Sequence, residues 1–369
     1  MNNLSLNKIK VRIFFVFILT FLYFSLPKID LFYPFPAIPT GVRMADILAL
    51  FMFLYLTIYR SKIGMKFNNR PLFFMSLLSL WLVHLFFSSY GGGVLKSIIG
   101  SIRLLEYVVV GYFVYFTMDT ARLALLSSLV VHIVFSIFQF LLWFPNLNPG
   151  RGNIYSHEFS GLLGTPSDLS FFVGLVFLIV FKGGYKIALM YIITLINGVK
   201  SAVLFFPILL FSNRIKLLLP FGLLFSSVLL MYFFSDMKIF VEEIINAAGK
   251  GLNFEEIKYY TKLDITETTL GARVGKWGGA LGIWLSQWNY FLFGYGGYSA
   301  GAAMDGGVVR LLFEYGVLGL VVITRLFTHA RFLFFLVFMA CNLFIDGYMS
   351  SVISPLLVVF FLINRKNYA

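Results

Sequence analysis

Residues 235–279 read SDMKIFVEEIINAAGKGLNFEEIKYYTKLDITETTLGARVGKWGG, the one long polar stretch in a chain that is otherwise a succession of apolar runs. The whole sequence is 60% apolar and 12% charged, with 45 Phe among 369 residues, a composition foreign to water-soluble domains. A run of roughly 18 or more mostly apolar residues reads as a membrane-spanning helix. Such runs fall near 11–26, 44–59, 71–89, 103–118, 120–144, 166–182, 185–198, 201–213, 215–234, 306–325, 328–345 and 348–364. The expected fold is therefore an all-α polytopic membrane protein of about 12 transmembrane helices. The seventh and eighth runs are short and punctuated by Gly198 and Pro207, which leaves a count of eleven as the alternative. The quoted stretch then opens a large outer loop, 235–305, between the ninth and tenth helices of a single membrane domain over 1–369.

Charge sets the orientation. With the N-terminus inside and the runs alternating, sixteen of the 29 cations face the cytoplasm against one anion, Asp119. That is the positive-inside distribution. It accounts for the net charge of +13, puts both termini in the cytoplasm and removes nucleic acid as a partner. Lys8, Lys10 and Arg12 precede the first apolar run, yet no small-residue cleavage site follows Leu26, so that run is expected to stay as an anchor. The single cysteine, Cys341, leaves no disulfide to form.

Three outer connections are more than turns: 27–43 with four prolines, 145–166 with Arg151, His157 and Glu158, and 235–305. Within the last, short helices are expected over 237–248, 254–263 and 273–290. The third spaces Trp277, Leu281, Trp284 and Trp288 as one stripe, suited either to the outer interface or to covering the bundle. No repeat relates the two halves, which argues against a major-facilitator transporter.

A charge inside a span costs about 2.5–3.5 kcal/mol on insertion scales, so it faces a partner or a wet cavity. Arg43–Asp46, Arg103–Glu106 and Arg310–Glu314 are spaced three or four apart, on one helical face each, near the outer ends of their runs. Arg151, His157, Asp168, Lys200, Arg273, Lys276 and Asp305 add further outer charge. For each of these, self-neutralisation or plain solvation is the competing reading. Together the cations suit a lipid-linked phosphate, because guanidinium pairs bidentately with phosphate oxygens and stabilises charge on a departing diphosphate. The sequence has no P-loop, no GxGxxG or GxSxG motif and no metal-ligand spacing. Direct transfer to an acceptor hydroxyl with a carboxylate or His base remains.

Arg273-Val274-Gly275-Lys276-Trp277, then Phe293-Gly294-Tyr295-Gly296, then Asp305 and Arg310 through Gly319 resemble the O-antigen ligase/polymerase superfamily. Residues 159–168 resemble its Gly/Pro segment before the sixth span, and Gly198-Val199-Lys200-Ser201-Ala202 its Ser-Arg-Ser-Ala turn, with Lys in place of Arg. Ligases of that superfamily carry a His before the tenth span; with Asp305 there, the chain is more similar to Wzy-type O-antigen polymerases. The resemblance implies a GT-C-type glycosyltransferase. It would join undecaprenyl-diphosphate-linked repeat units at the periplasmic face of a bacterial inner membrane, with the growing chain as donor. It implies diphosphate binding by Arg273 and Lys200, to which placement adds Arg310, Arg151 and Lys276. Asp305 is the first base candidate, followed by Glu314, Asp168 and His157, with Arg103 as a further binding candidate. No metal, nucleotide sugar or other cofactor is expected, and a separate chain-length regulator is the expected protein partner. The alternatives are an O-antigen ligase acting on a lipid A core and a non-enzymatic polysaccharide flippase.

Overall fold

The computed structural model describes residues 3–27, 43–59, 94–145, 147, 160–163, 165–180, 245, 269–296, 306–328, 337–338, 341–342 and 350–365. These residues are mostly helical, with no strand among them. The helices are α1 (Asn3–Ser25), α2 (Met44–Ile58), α3 (Val94–Phe116), α4 (Met118–Phe140), α5 (Pro166–Val180), α6 (Thr269–Ser286), α7 (Trp288–Phe293), α8 (Gly307–Thr328) and α9 (Ile353–Arg365). A 3-10 turn, Gly161–Leu163, precedes α5. The expected spans 71–89, 185–198, 201–213 and 215–234, and the short helices 237–248 and 254–263, lie outside the described residues. The chain divides into two compact units, one of Met1–Lys66, Arg103–Leu209 and Met349–Ala369, the other of Phe67–Ile102 and Leu210–Tyr348.

In the first unit, side-chain ties give the direction of every helix. Arg12 on α1 donates to the Tyr55 hydroxyl at 2.6 Å and lies over the rings of Tyr55 and Tyr59. Near the other end of α1, the Tyr23 hydroxyl donates to Glu106 at 3.1 Å and His132 Nε2 meets the Phe24 carbonyl at 2.7 Å. Tyr55 also packs edge-on against Phe113. So α2 and α3 run from the Phe24 end towards the Arg12 end, opposite to α1. A turn at Thr117 reverses the chain, and α4 runs back to the Phe24 end. There Gln139 meets Ser160 and Gly161, and Asp168 in the first turn of α5 meets Ser350 just before α9. Both α5 and α9 therefore start at the Phe24 end.

Helices α1, α2 and α4 leave large apolar residues exposed, whereas α5 and α9 expose none among their described side chains. On α2, Leu48, Met52, Tyr55 and Leu56 are buried while Leu50, Phe51, Phe53, Leu54 and Ile58 stand exposed. A helix apolar all round suits lipid or a large core, not water. Among the described residues one helix, α4, is both long and apolar enough to cross a membrane; α2, Ser167–Val180 and Ile353–Ile363 are apolar but shorter.

Helix α1 starts at Asn3, eight residues before its expected run, and two other departures bear on the candidate residues. The fourth run was expected from residue 103, but α3 starts at Val94, which sets Arg103 about 14 Å inside the helix rather than at its mouth. The tenth run is broken: Gly316 has φ 64° and ψ −168°, a conformation close to glycine-only.

Candidate functional site

In the second unit the break in α8 organises the residues that the sequence singles out. A helix that stops at Gly316 leaves the carbonyls of its last turn without helical partners. Two of them are taken by the Gly-rich turn after α7: Tyr295 N–H donates to the Phe313 carbonyl at 2.7 Å and Gly296 N–H to the Glu314 carbonyl at 3.3 Å. The approach needs glycine on both sides. At Gly294 (φ 83°) a Cβ would run into the Glu314 carbonyl, and at Gly316 into that of Leu292. Tyr295 then stacks on Phe313, with ring centroids 5.3 Å apart, and Phe313 packs with Ala280 from α6.

One turn before the break lies a buried ion pair. Arg310 Nε donates to Glu314 Oε1 at 3.0 Å, and both side chains are almost wholly enclosed. The i,i+4 spacing places them together, and the docked turn sits on Glu314's own carbonyl. At the start of α8, the Trp277 indole presses on Gly306, where a Cβ would lie 2.6 Å from its Cε2. That contact holds against α8 the turn of α6 that bears Lys276 and, four residues before Trp277, Arg273. Arg273 and Lys276 therefore belong to the helix packed on α8, and Lys276 is half-buried. Asp305 immediately precedes this contact but lies outside the described residues, as do Arg151, His157 and Lys200.

The expected Trp stripe is not one face. The helix ends at Ser286, Gln287 is extended, and Trp288 opens α7. Trp277 is 7% exposed and Trp288 71%.

The remaining candidates fall in the first unit. Asp168 is held in place by three hydrogen bonds. Thr165 Oγ1 donates to Oδ2 at 3.0 Å and accepts the Asp168 N–H at 3.1 Å, a capping arrangement for α5, while Ser350 donates to Oδ1 at 3.1 Å. This geometry fastens α5 to the start of α9. Arg103 is buried on α3.

Two further groupings were not foreseen. Glu106, besides taking the Tyr23 hydroxyl, lies beside Asp46, which caps the Arg43 N–H at 2.8 Å. The residues of the Arg43–Asp46 and Arg103–Glu106 pairs thus come together across α2 and α3. His132 is the second. Its Nδ1 accepts the Leu162 N–H at 3.3 Å, so its proton sits on Nε2 and goes to Phe24. For His132 the only sequence signal was a polar residue within an apolar run, whereas the carboxyl grouping joins two pairs that spacing had marked singly. Among the described residues no three His, Cys, Asp or Glu side chains are grouped to hold a metal.

No family model matches the chain, and no curated protein matches it.

Proposed function

We propose that the chain is a polytopic inner-membrane glycosyltransferase that polymerises undecaprenyl-diphosphate-linked repeat units, in the manner of Wzy-type O-antigen polymerases. The observation that carries the reading is the capped break in α8. The segments of the resemblance, Arg273–Trp277, Phe293–Gly296 and Arg310–Gly319, are remote or discontinuous in sequence, yet they pack as one assembly around that break. Helices interrupted within apolar segments are tolerated where they line a protein cavity, and they recur at membrane ligand sites. The membrane half of the reading has separate support. Helices α1, α2, α3, α4, α5 and α9 alternate in direction as twelve-fold threading requires for the first, second, fourth, fifth, sixth and twelfth runs. A 23-residue helix such as α4 rises about 34 Å, enough for a hydrocarbon core of about 30 Å.

In the proposed reaction the acceptor sugar's hydroxyl oxygen attacks the anomeric carbon of the donor. The bond from that carbon to the phosphate oxygen breaks, and undecaprenyl diphosphate leaves with the electron pair. Asp305 takes the hydroxyl proton. Arg273, with Lys276 and Arg310, neutralises the charge growing on the diphosphate. Glu314 acts through Arg310 as a positioning residue, since its carboxylate holds the guanidinium by Nε.

Purified protein incubated with lipid-linked repeat units and run on a gel tests the reading. A ladder of products is expected, and Arg273→Ala is expected to abolish it while the protein still inserts in membranes. Transfer only to a lipid A core would identify a ligase. Absence of any transfer, with translocation of the lipid-linked glycan intact, would identify a flippase.

A further inference from the structure

Among the described residues of the second unit, the elbow between α6 and α7 gathers exposed apolar side chains. Leu285 is 59% exposed, Trp288 71% and Phe291 39%, while Trp277, three turns earlier on α6, is enclosed. Two polar side chains at the elbow, those of Trp284 and Ser286, bond to local backbone, while Gln287 at its apex is exposed. Trp284 Nε1 donates to the Phe291 carbonyl at 3.1 Å with the two rings stacked, and Ser286 Oγ donates to the Ile283 carbonyl at 2.7 Å. Both carbonyls lie near helix ends, where water would ordinarily serve them. Such internal satisfaction is what a surface in contact with lipid needs. Residues 269–296 contain Arg273 and Lys276 and no Asp or Glu, a charge complementary to anionic headgroups.

We infer that the α6–α7 elbow is a membrane anchor: Leu285, Trp288 and Phe291 insert at the headgroup–acyl boundary of the outer leaflet of the phospholipid bilayer, while Trp277 faces protein. Tryptophan with one wet and one apolar side favours that depth. The elbow leads directly into the turn that caps α8, so the anchor fixes that turn at the membrane surface. The inference rests on the membrane half of the proposed reading and not on the transfer reaction.

Single-tryptophan variants of the full chain, retaining only Trp288, Trp277 or Trp143 with Phe at the other positions, test it in phosphatidylcholine–phosphatidylglycerol vesicles. Lipids brominated at a shallow acyl position are expected to quench Trp288 several-fold more than Trp277, and more than lipids brominated deeper. Trp143, exposed just beyond the end of α4, reports on the membrane reading independently. If Trp143 is quenched by brominated lipid while Trp288 is quenched only by aqueous acrylamide, the elbow faces water and the anchor is refuted with the membrane reading intact. Protection of Trp288 from both quenchers would overturn it in favour of a protein partner or second copy. If neither Trp143 nor Trp288 responds to brominated lipid, the membrane reading fails as well. Should the multiple replacements prevent folding, Gln287→Cys labelled with an environment-sensitive fluorophore gives the same test, because the native Cys341 is buried. A blue-shifted, lipid-quenched label supports the anchor, and a water-like emission refutes it.

Discussion

The two units handle polar groups within apolar surroundings in opposite ways. In the first, unbroken helices are tied by side chains: Tyr23 to Glu106, His132 to Phe24 and to Leu162, Asp168 to Ser350. In the second, α8 gives up its own continuity at Gly316, and a turn from elsewhere supplies backbone N–H groups to the exposed carbonyls. The first arrangement spreads its dependence over many side chains. The second concentrates it in two glycines and one ion pair, so substitutions should separate the two.

The largest effect is expected from Glu314→Ala, which leaves the Arg310 charge enclosed without its carboxylate. A loss of about 3–5 kcal/mol is expected in detergent unfolding. Replacing Arg310 and Glu314 together by Leu and Met should recover most of that loss while still reducing polymer synthesis, since the positioned guanidinium is gone. A double variant as unstable as the single one would mean that the pair does more than neutralise itself.

Next comes Gly316→Ala. Its φ of 64° with ψ −168° carries about 1–3 kcal/mol of strain for any other residue, before the collision with Leu292 is counted. Thermal unfolding should fall for this variant as for Gly294→Ala, and the double variant should cost less than the sum because both disturb one contact. Full additivity would show that the two glycines act apart.

Smaller again is His132→Phe in the first unit. The change keeps an aromatic ring beside Phe172 but leaves the Phe24 carbonyl and Leu162 N–H unserved, for about 1–3 kcal/mol. Thr165→Ala is expected to cost about 1 kcal/mol as a lost helix cap, with synthesis unaffected. A collapse in synthesis with normal unfolding would instead place Asp168 in the chemistry.

Runs of strong hydropathy were read closely. The second was expected at 44–59 and forms Met44–Ile58; the sixth was expected from 166 and starts at Pro166; the fifth was expected at 120–144 and forms Met118–Phe140. The fourth was misjudged at its start because Lys96, Ser97, Gly100 and Ser101 dilute its hydropathy, although helix geometry continues through them. The candidate site was legible as pairs and not as an assembly. Arg310–Glu314 followed from i,i+4 spacing, and that pair forms. Spacing within one helix carries no information on Asp46 meeting Glu106, or on Asp168 meeting Ser350 across 182 residues.

By itself the sequence determined composition, the apolar runs, the charge asymmetry and the local spacings, because each depends on neighbours within a turn or two. Tertiary structure alone decided that α8 breaks, that the Phe293–Gly296 turn serves its carbonyls, and that Trp277 turns inward while Trp288 turns out. The physical reason is that an orphaned carbonyl or an indole ring is satisfied by whatever comes within a few ångströms. Chain folding sets that, whereas residue order along a single helix does not.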